Sequence, residues 1–349
     1  MVRLYGKEWT RRELESRVGR IDQLGGVQRF VMKEGPEAGQ EAFQVRTGAG
    51  LSYWVNPSKG MDISLAEFCG IPVSWSASNG NPHSSYYDAE GNNWLRTASG
   101  GLLMTCGLSQ VGASGQDEYG TFGLHGQIHH TPARQTSYHA EWHGSDYEMF
   151  TRGVLEETSI FGHTLRLTRT IQSRLGENRL KIMDTVENVS FKPVPHMMLY
   201  HFNFGFPLLM EDTIIVLPES KSTLRDAGMD MSRLHEWQAP DPHFAEQVYY
   251  HEPLEQQEKI SVQIISPSFP VNDFNSTSQG LTVELKWDPV TLPRLVQWRM
   301  PGAGEHVLGI EPSNCWTKGR AEERKTDSLR MLQPGETVQY EIELNFKSN

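Results

Sequence analysis

The stretch His196-Met-Met-Leu-Tyr-His-Phe-Asn-Phe-Gly-Phe-Pro-Leu-Leu209 decides how this chain is read. It is apolar almost without a break, yet His201 and Asn203 sit inside it, two residues apart. Alternate side chains of a β-strand share a face. Extended, the stretch places Leu199, His201, Asn203 and Gly205 on one side and Tyr200, Phe202, Phe204 and Phe206 on the other. The aromatic side reads as core. The other side carries an imidazole and an amide at mid-strand. A core histidine satisfied by a backbone carbonyl and a functional histidine are both open at this point.

The same grammar extends outward. Residues 51–55, 165–171 and 180–186 alternate apolar and polar, and Gly176-Glu-Asn178 between the last two is a hairpin-type turn. Further strands are expected at 137–142, 148–155, 213–218, 248–250, 260–265, 281–287, 295–300, 306–310 and 338–346. No helical period separates them. That argues against a parallel βαβ sheet and favours an all-β fold, a large antiparallel β-sandwich or barrel. Residues 76–91 and 112–132 read as loops, and 219–245 as polar and irregular. The exception is the start of the chain. Thr10 as cap, Leu14 and Val18 four apart and the Gly25-Gly26 stop predict a helix over 8–24. The expected organisation is therefore an N-terminal helical segment, 1–26, and a single β-sandwich domain, 27–349.

The 349 residues include 43 acidic and 32 basic side chains, a net charge of −11. Such a balance argues against nucleic acid as a main partner. Cys69, Cys106 and Cys315 are far apart and form no C-x-x-C, so a reducing cytoplasmic setting is expected. The first residues contain no apolar signal region, and no run approaches the ~20 apolar residues of a membrane span. Nine tryptophans make the chain rich in rings of the kind that stack on sugars or bases.

Three groups are set for chemistry. His125 lies in Gly120-Thr-Phe-Gly-Leu-His-Gly-Gln-Ile-His-His-Thr-Pro132, where glycines let backbone approach a ligand. His201 is the mid-strand imidazole. Glu311 ends an apolar run in His306-Val-Leu-Gly-Ile-Glu-Pro-Ser-Asn-Cys-Trp316; a solvated strand-end carboxylate is the plain alternative. The His125/His129 spacing suits zinc only on a helix, which the glycines and Pro132 oppose, so no metal is expected. No G-x-S-x-G elbow occurs. Two imidazoles and a carboxylate suit proton shuttling: a base within reach of an O–H, and an imidazolium that returns a proton to an ether-like oxygen.

Phe122-Gly-Leu-His125-Gly, Leu199-Tyr-His201-Phe-Asn203-Phe and Gly309-Ile-Glu311-Pro resemble, in the same order, the two histidine motifs and the late glutamate motif of galactose mutarotases (aldose 1-epimerases). Thr10-Arg-Arg-Glu-Leu-Glu-Ser-Arg-Val-Gly19, Gly60-Met-Asp-Ile-Ser-Leu-Ala-Glu-Phe68, Gly100-Gly-Leu-Leu-Met-Thr-Cys-Gly-Leu108 and residues 199–207 are similar to the DUF4432 branch of aldose-epimerase-like proteins, a likeness that spans nearly the whole chain. The resemblance implies a galactose mutarotase-like supersandwich, a small-molecule sugar as ligand, no cofactor and anomer interconversion. Glu311 would take the anomeric hydroxyl proton, His201 would protonate the ring oxygen, and His125 would hold a sugar hydroxyl. An Asn-Arg pair that mutarotases place before their first histidine is not evident, so Arg96 or Arg46 would stand in for its arginine. The sugar-gripping aspartate has no clear counterpart. Asp62 with Lys59 close by, Arg96 beside Trp94, and Asn203, Gln247 and Trp298 are the binding candidates. Against these stand a turn salt bridge, a surface arginine and core packing. Another sugar-processing enzyme on this fold (hydrolase, lyase or epimerase) and a non-catalytic sugar-binding protein remain alternatives.

Overall fold

A computed structural model describes residues 1–349 apart from residues 119, 227–229, 255–257, 272–279 and 349. Two antiparallel sheets, of eleven and eight strands, dominate the described residues. The strand Met197–Phe204 lies inside the larger sheet, between Leu103–Leu108 and Val307–Ser313. Beyond Val307–Ser313 come Arg294–Met300, Gln247–Pro253 and Ser220–Leu224; beyond Leu103–Leu108 come Asp62–Phe68, Leu51–Asn56, Glu41–Arg46 and Gly26–Val31. The smaller sheet runs from Arg134–His143 through Asp146–Thr158, Thr164–Arg174 and Arg179–Asn188. It then continues through Thr337–Ser348, Leu281–Trp287, Ile260–Ser266 and Ile214–Val216.

The alternation along the central strand sorts its two faces. Tyr200, Phe202 and Phe204 enter the main core with residues of the smaller sheet such as Leu167, Ile182 and Leu344. Burying each such side chain contributes roughly 1.5–3 kcal/mol. Met197 and Leu199 join a second apolar cluster with Met104, Cys106, Val248, Tyr250 and Val296. Phe206 departs from the expected pattern and is 65% exposed. The strand ends at Phe204, and Leu209 N–H closes a turn onto Gly205 O, so Phe206 has left the sheet.

A buried polar network centred on Arg169 crosses between the sheets. Arg169 of the smaller sheet donates to Asp62 Oδ1 at 2.7 Å and Thr105 Oγ1 at 2.8 Å in the larger, and to Asp184 Oδ2 at 2.7 Å in its own. Tyr200 Oη donates to the same Asp184 oxygen at 2.7 Å. His129 Nδ1 and Thr105 N–H sit 2.7 and 2.8 Å from Asp62 Oδ2.

The N-terminal expectation needs correction. Val2–Leu4 and Lys7–Trp9 form a hairpin, and the helix covers only Arg11–Glu15. Thr10 and Glu13 make the reciprocal capping box. Ser16 then bonds back to Glu13 O, and Gly19 follows, a poor helix former. Val2, Leu4 and Leu14 pack into the main core. Other elements went unread, among them the polar strand Ser220–Leu224 at a sheet edge, the paired strands Gly115–Asp117 and Gly120–Phe122 within the expected 112–132 loop, and the short helix Arg320–Lys325.

Candidate active site

Phe202 pairs with Ile310 and Asn203 with Gly309. The same register brings His201 opposite Glu311, and both side chains leave the sheet on one face. His201 Nε2 lies 3.2 Å from Glu311 Oε1. Met104 stands opposite His201 on the other flank, and Val296 opposite Glu311, so one row across the sheet carries the pair between apolar neighbours. Gly309 makes the contact feasible. A Cβ there would come 2.6 Å from Glu311 Oε1, 3.1 Å from Trp298 Cβ and 3.2 Å from His201 Cε1.

His125 arrives from the 112–132 loop in a left-handed conformation, φ 56°. Its N–H donates to Gly112 O at 2.9 Å and its carbonyl accepts from Gly107 N–H at 3.1 Å. Gly112 N–H also points at its Nδ1, 3.4 Å away, which leaves Nε2 for the site. Its ring centroid lies 6.1 Å from that of His201 and 5.0 Å from that of Trp94. These groups line a cavity of about 860 Å³ together with Trp75 and Trp298. The Trp298 ring is 5.4 Å from His201 and 6.1 Å from Trp75. Its Nε1–H donates to Glu246 Oε2 at 3.0 Å, and Arg225 Nη2 donates to Glu246 Oε1 at 2.8 Å. Arg225 and Glu246 both line the cavity.

Burial governs the protonation of the pair. It raises Glu311 well above the usual carboxylate range, the Glu246 charge adds to this, and Arg225 opposes it. Burial pulls His201 down to about 3, with nearby His125 adding. His125 falls to about 4 for the same first reason. With both partners neutral, Glu311 holds the proton and His201 is free to accept one. Asn203 beside the ring favours the protonated imidazole, although neither His201 Nδ1 nor Asn203 Oδ1 reaches hydrogen-bond geometry.

Of the residues named from sequence, His125, His201, Glu311 and Trp298 share the cavity. Asn203 lies under it, buried, and its Nδ2 donates to Gly101 O and His201 O. The others lie elsewhere. Asp62 is 3% exposed within the network between the sheets, where burial raises it to about 6 against the pull of Arg169. Lys59 is fully buried, and its Nζ donates to Thr97 O at 2.6 Å and Pro82 O at 3.2 Å. Burial pulls that ammonium down to about 7. Neither residue meets the cavity, and neither forms the surface salt bridge that was the alternative. Arg96 is exposed on the turn Asn93–Arg96, outside the lining. Arg46 donates to Asp22 O at 2.6 Å, also outside it. Gln247 accepts from Tyr249 Oη at 2.9 Å and does not line the cavity. Arg225 and Glu246 went unread because they fall in or beside the polar 219–245 stretch, where no motif marks them. Among the described residues, no group of three or more His, Cys, Asp or Glu side chains is placed to hold a metal ion.

Comparison with solved structures places this architecture among galactose mutarotase-like proteins. A Klebsiella pneumoniae protein described as a candidate aldose 1-epimerase superposes with a TM-score of 0.84 at 21% identity, over 94% of this chain and 86% of its own. A galactose mutarotase-like protein from Clostridium acetobutylicum gives 0.57 at 14% identity, over 94% and 100%. Galactose 1-epimerase from Lactobacillus acidophilus gives 0.55 at 12%, over 93% and 99%. At such identities the likeness shows a shared fold. A sequence comparison with curated proteins finds no match. The sequence profile of the DUF4432 family, a domain of unknown function, matches residues 37–346, and the chain belongs to that family.

Proposed function

We propose that this protein is an aldose 1-epimerase-like isomerase, interconverting the anomers of a small-molecule sugar by acid–base ring opening. The observation that carries this reading is the His201–Glu311 pair, 3.2 Å apart at a cavity wall with His125 beside it. The pair holds one exchangeable proton. In the reactive arrangement His201 carries it and Glu311 is ionised. Glu311 removes the anomeric O–H proton, C1=O forms, the bond from C1 to the ring oxygen breaks, and His201 protonates that oxygen. The pair is then in the neutral arrangement that burial favours. Rotation about C1–C2 and the reverse steps close the other anomer, and no net proton is consumed. His125 Nε2–H holds a sugar hydroxyl. No step calls for a cofactor.

Glu311→Gln keeps the shape and removes the base. Anomer exchange over a panel of aldoses, followed by saturation-transfer NMR, should fall by roughly 10²- to 10⁴-fold in this variant. Wild-type protein that accelerates no aldose rules the reading out. One observation favours a second reading. Glu246 and Glu311 are carboxylates of one cavity in unlike settings, the first half-exposed and the second buried. Environments that separate two carboxyl groups in this way also serve glycoside cleavage. Release of reducing ends from glycosides, lost in Glu246→Gln, would favour that alternative.

A further inference from the structure

We propose that the corner formed by Trp75 and Trp298 is a second sugar subsite, and that the ligand is a neutral reducing disaccharide whose reacting ring lies over His201 and Glu311. This rests on the epimerase reading for the reacting ring only.

The two sides of the reactive row differ. Leu199 and Cys106 lie on one side of it, beneath the loop that presents His125, since Gly107 N–H bonds to His125 O. Asn203, Gly309 and Trp298 lie on the other, in register with one another. His125 and Trp298 therefore flank His201 from opposite directions along the strands, at centroid distances of 6.1 and 5.4 Å. A pyranose ring that reaches the pair and gives a hydroxyl to His125 covers one side only. The cavity of about 860 Å³ is near the top of the ~300–1,000 Å³ found for sites that enclose drug-sized ligands. One ring does not fill it.

The uncovered side is built and held. The Trp75 and Trp298 rings meet at 77°, two walls of a corner. Glu246 fixes the Trp298 indole through its N–H. Trp75 lies flush on Gly100, where a Cβ would come 2.7 Å from the Trp75 ring. Glu246, Glu305 and Asn79 share the cavity lining with these rings. Indole faces take the C–H face of a sugar ring, while carboxylates and amides accept or donate to its hydroxyls. Charge excludes an acidic second ring. Among the described lining residues, Arg225 is the one lysine or arginine, and Glu246 and Asp226 already engage it. A phosphate or uronate there would meet Glu246 and Glu305 with no cation to spare.

The test is a binding measurement on Glu311→Gln protein, so that turnover does not alter the ligand. Titration calorimetry compares maltose, cellobiose and lactose with glucose and galactose. At least one disaccharide should bind roughly tenfold tighter than either of its constituent rings. Adding Trp75→Ala should weaken that disaccharide about five- to tenfold more than it weakens the monosaccharide, and Trp75→Phe should recover part of the difference. Disaccharides binding no tighter than monosaccharides, no sugar binding at all, or equal losses for both ligands in Trp75→Ala each overturn the proposal. Anomer exchange on wild-type protein separates it from the catalytic reading. Exchange of monosaccharides without a disaccharide preference removes only the second subsite. A Trp75-dependent preference without exchange removes only the isomerase.

Discussion

At the scale of single residues, the site depends on a missing side chain as much as on those present. Gly309 has no Cβ, and the room this leaves is where Glu311 Oε1 and His201 Cε1 approach. Its φ is not in the left-handed region, so an alanine meets a steric obstacle and no backbone one. Gly309→Ala should fold, because the strand tolerates the backbone. It should lose about 10²-fold in turnover, as the pair is pushed apart by an ångström or so. Stopped-flow polarimetry with the sugar identified by the panel, alongside thermal unfolding, checks both halves of that expectation. His125, His201 and Glu311 were legible because each sits in a short local motif. Asp62, Lys59 and Arg96 were misplaced for a physical reason. A charged residue in a sequence does not announce its burial, and the partner of Asp62 is Arg169, 107 positions away. Arg225 and Glu246 have no local signature, since their value comes from the tertiary approach of the Trp298 strand.

At the scale of elements, period-2 alternation located the long strands of the smaller sheet, such as Thr164–Arg174 and Arg179–Asn188, because each has one face on the core. It failed at Ser220–Leu224, an edge strand with no fully buried residue, where polar side chains cost nothing and blunt the edge. It also failed at the N-terminus, where a good cap and one i,i+4 pair imitate a long helix. The 76–98 segment has its own logic. It brings Trp75's neighbour Ala77, Asn79, Asn92, Trp94, Leu95 and Ala98 to the cavity, and buried Lys59 fastens it through Thr97 O, Pro82 O and, at 3.4 Å, Asn81 Oδ1. Lys59→Met should speed amide hydrogen exchange across residues 81–98 while leaving the sheet amides protected. Global stability should move by no more than about 1–2 kcal/mol, since lost hydrogen bonds are offset by removal of a buried cation. Unchanged exchange in that segment would mean that its other backbone bonds hold it unaided.

At the scale of the whole molecule, a buried arginine ties the two sheets together. Arg169→Ala leaves Asp62 and Asp184 buried together without a cation, which should cost roughly 3–5 kcal/mol in urea unfolding. Tyr200 links this clamp to the site, for it bonds to Asp184 on one face of its strand while His201 emerges on the other. The smaller sheet also has a property set by chain order. Its hairpins 134–188 form one half and its strands 260–287 another, and the strand Thr337–Ser348 joins them, paired with Arg179–Asn188 on one edge and Leu281–Trp287 on the other. A ribosome that has released everything up to residue 336 has made both halves and not the seam. Until residues 337–348 emerge, two open edges await pairing, and in that interval the nascent protein is most exposed to wrong partners.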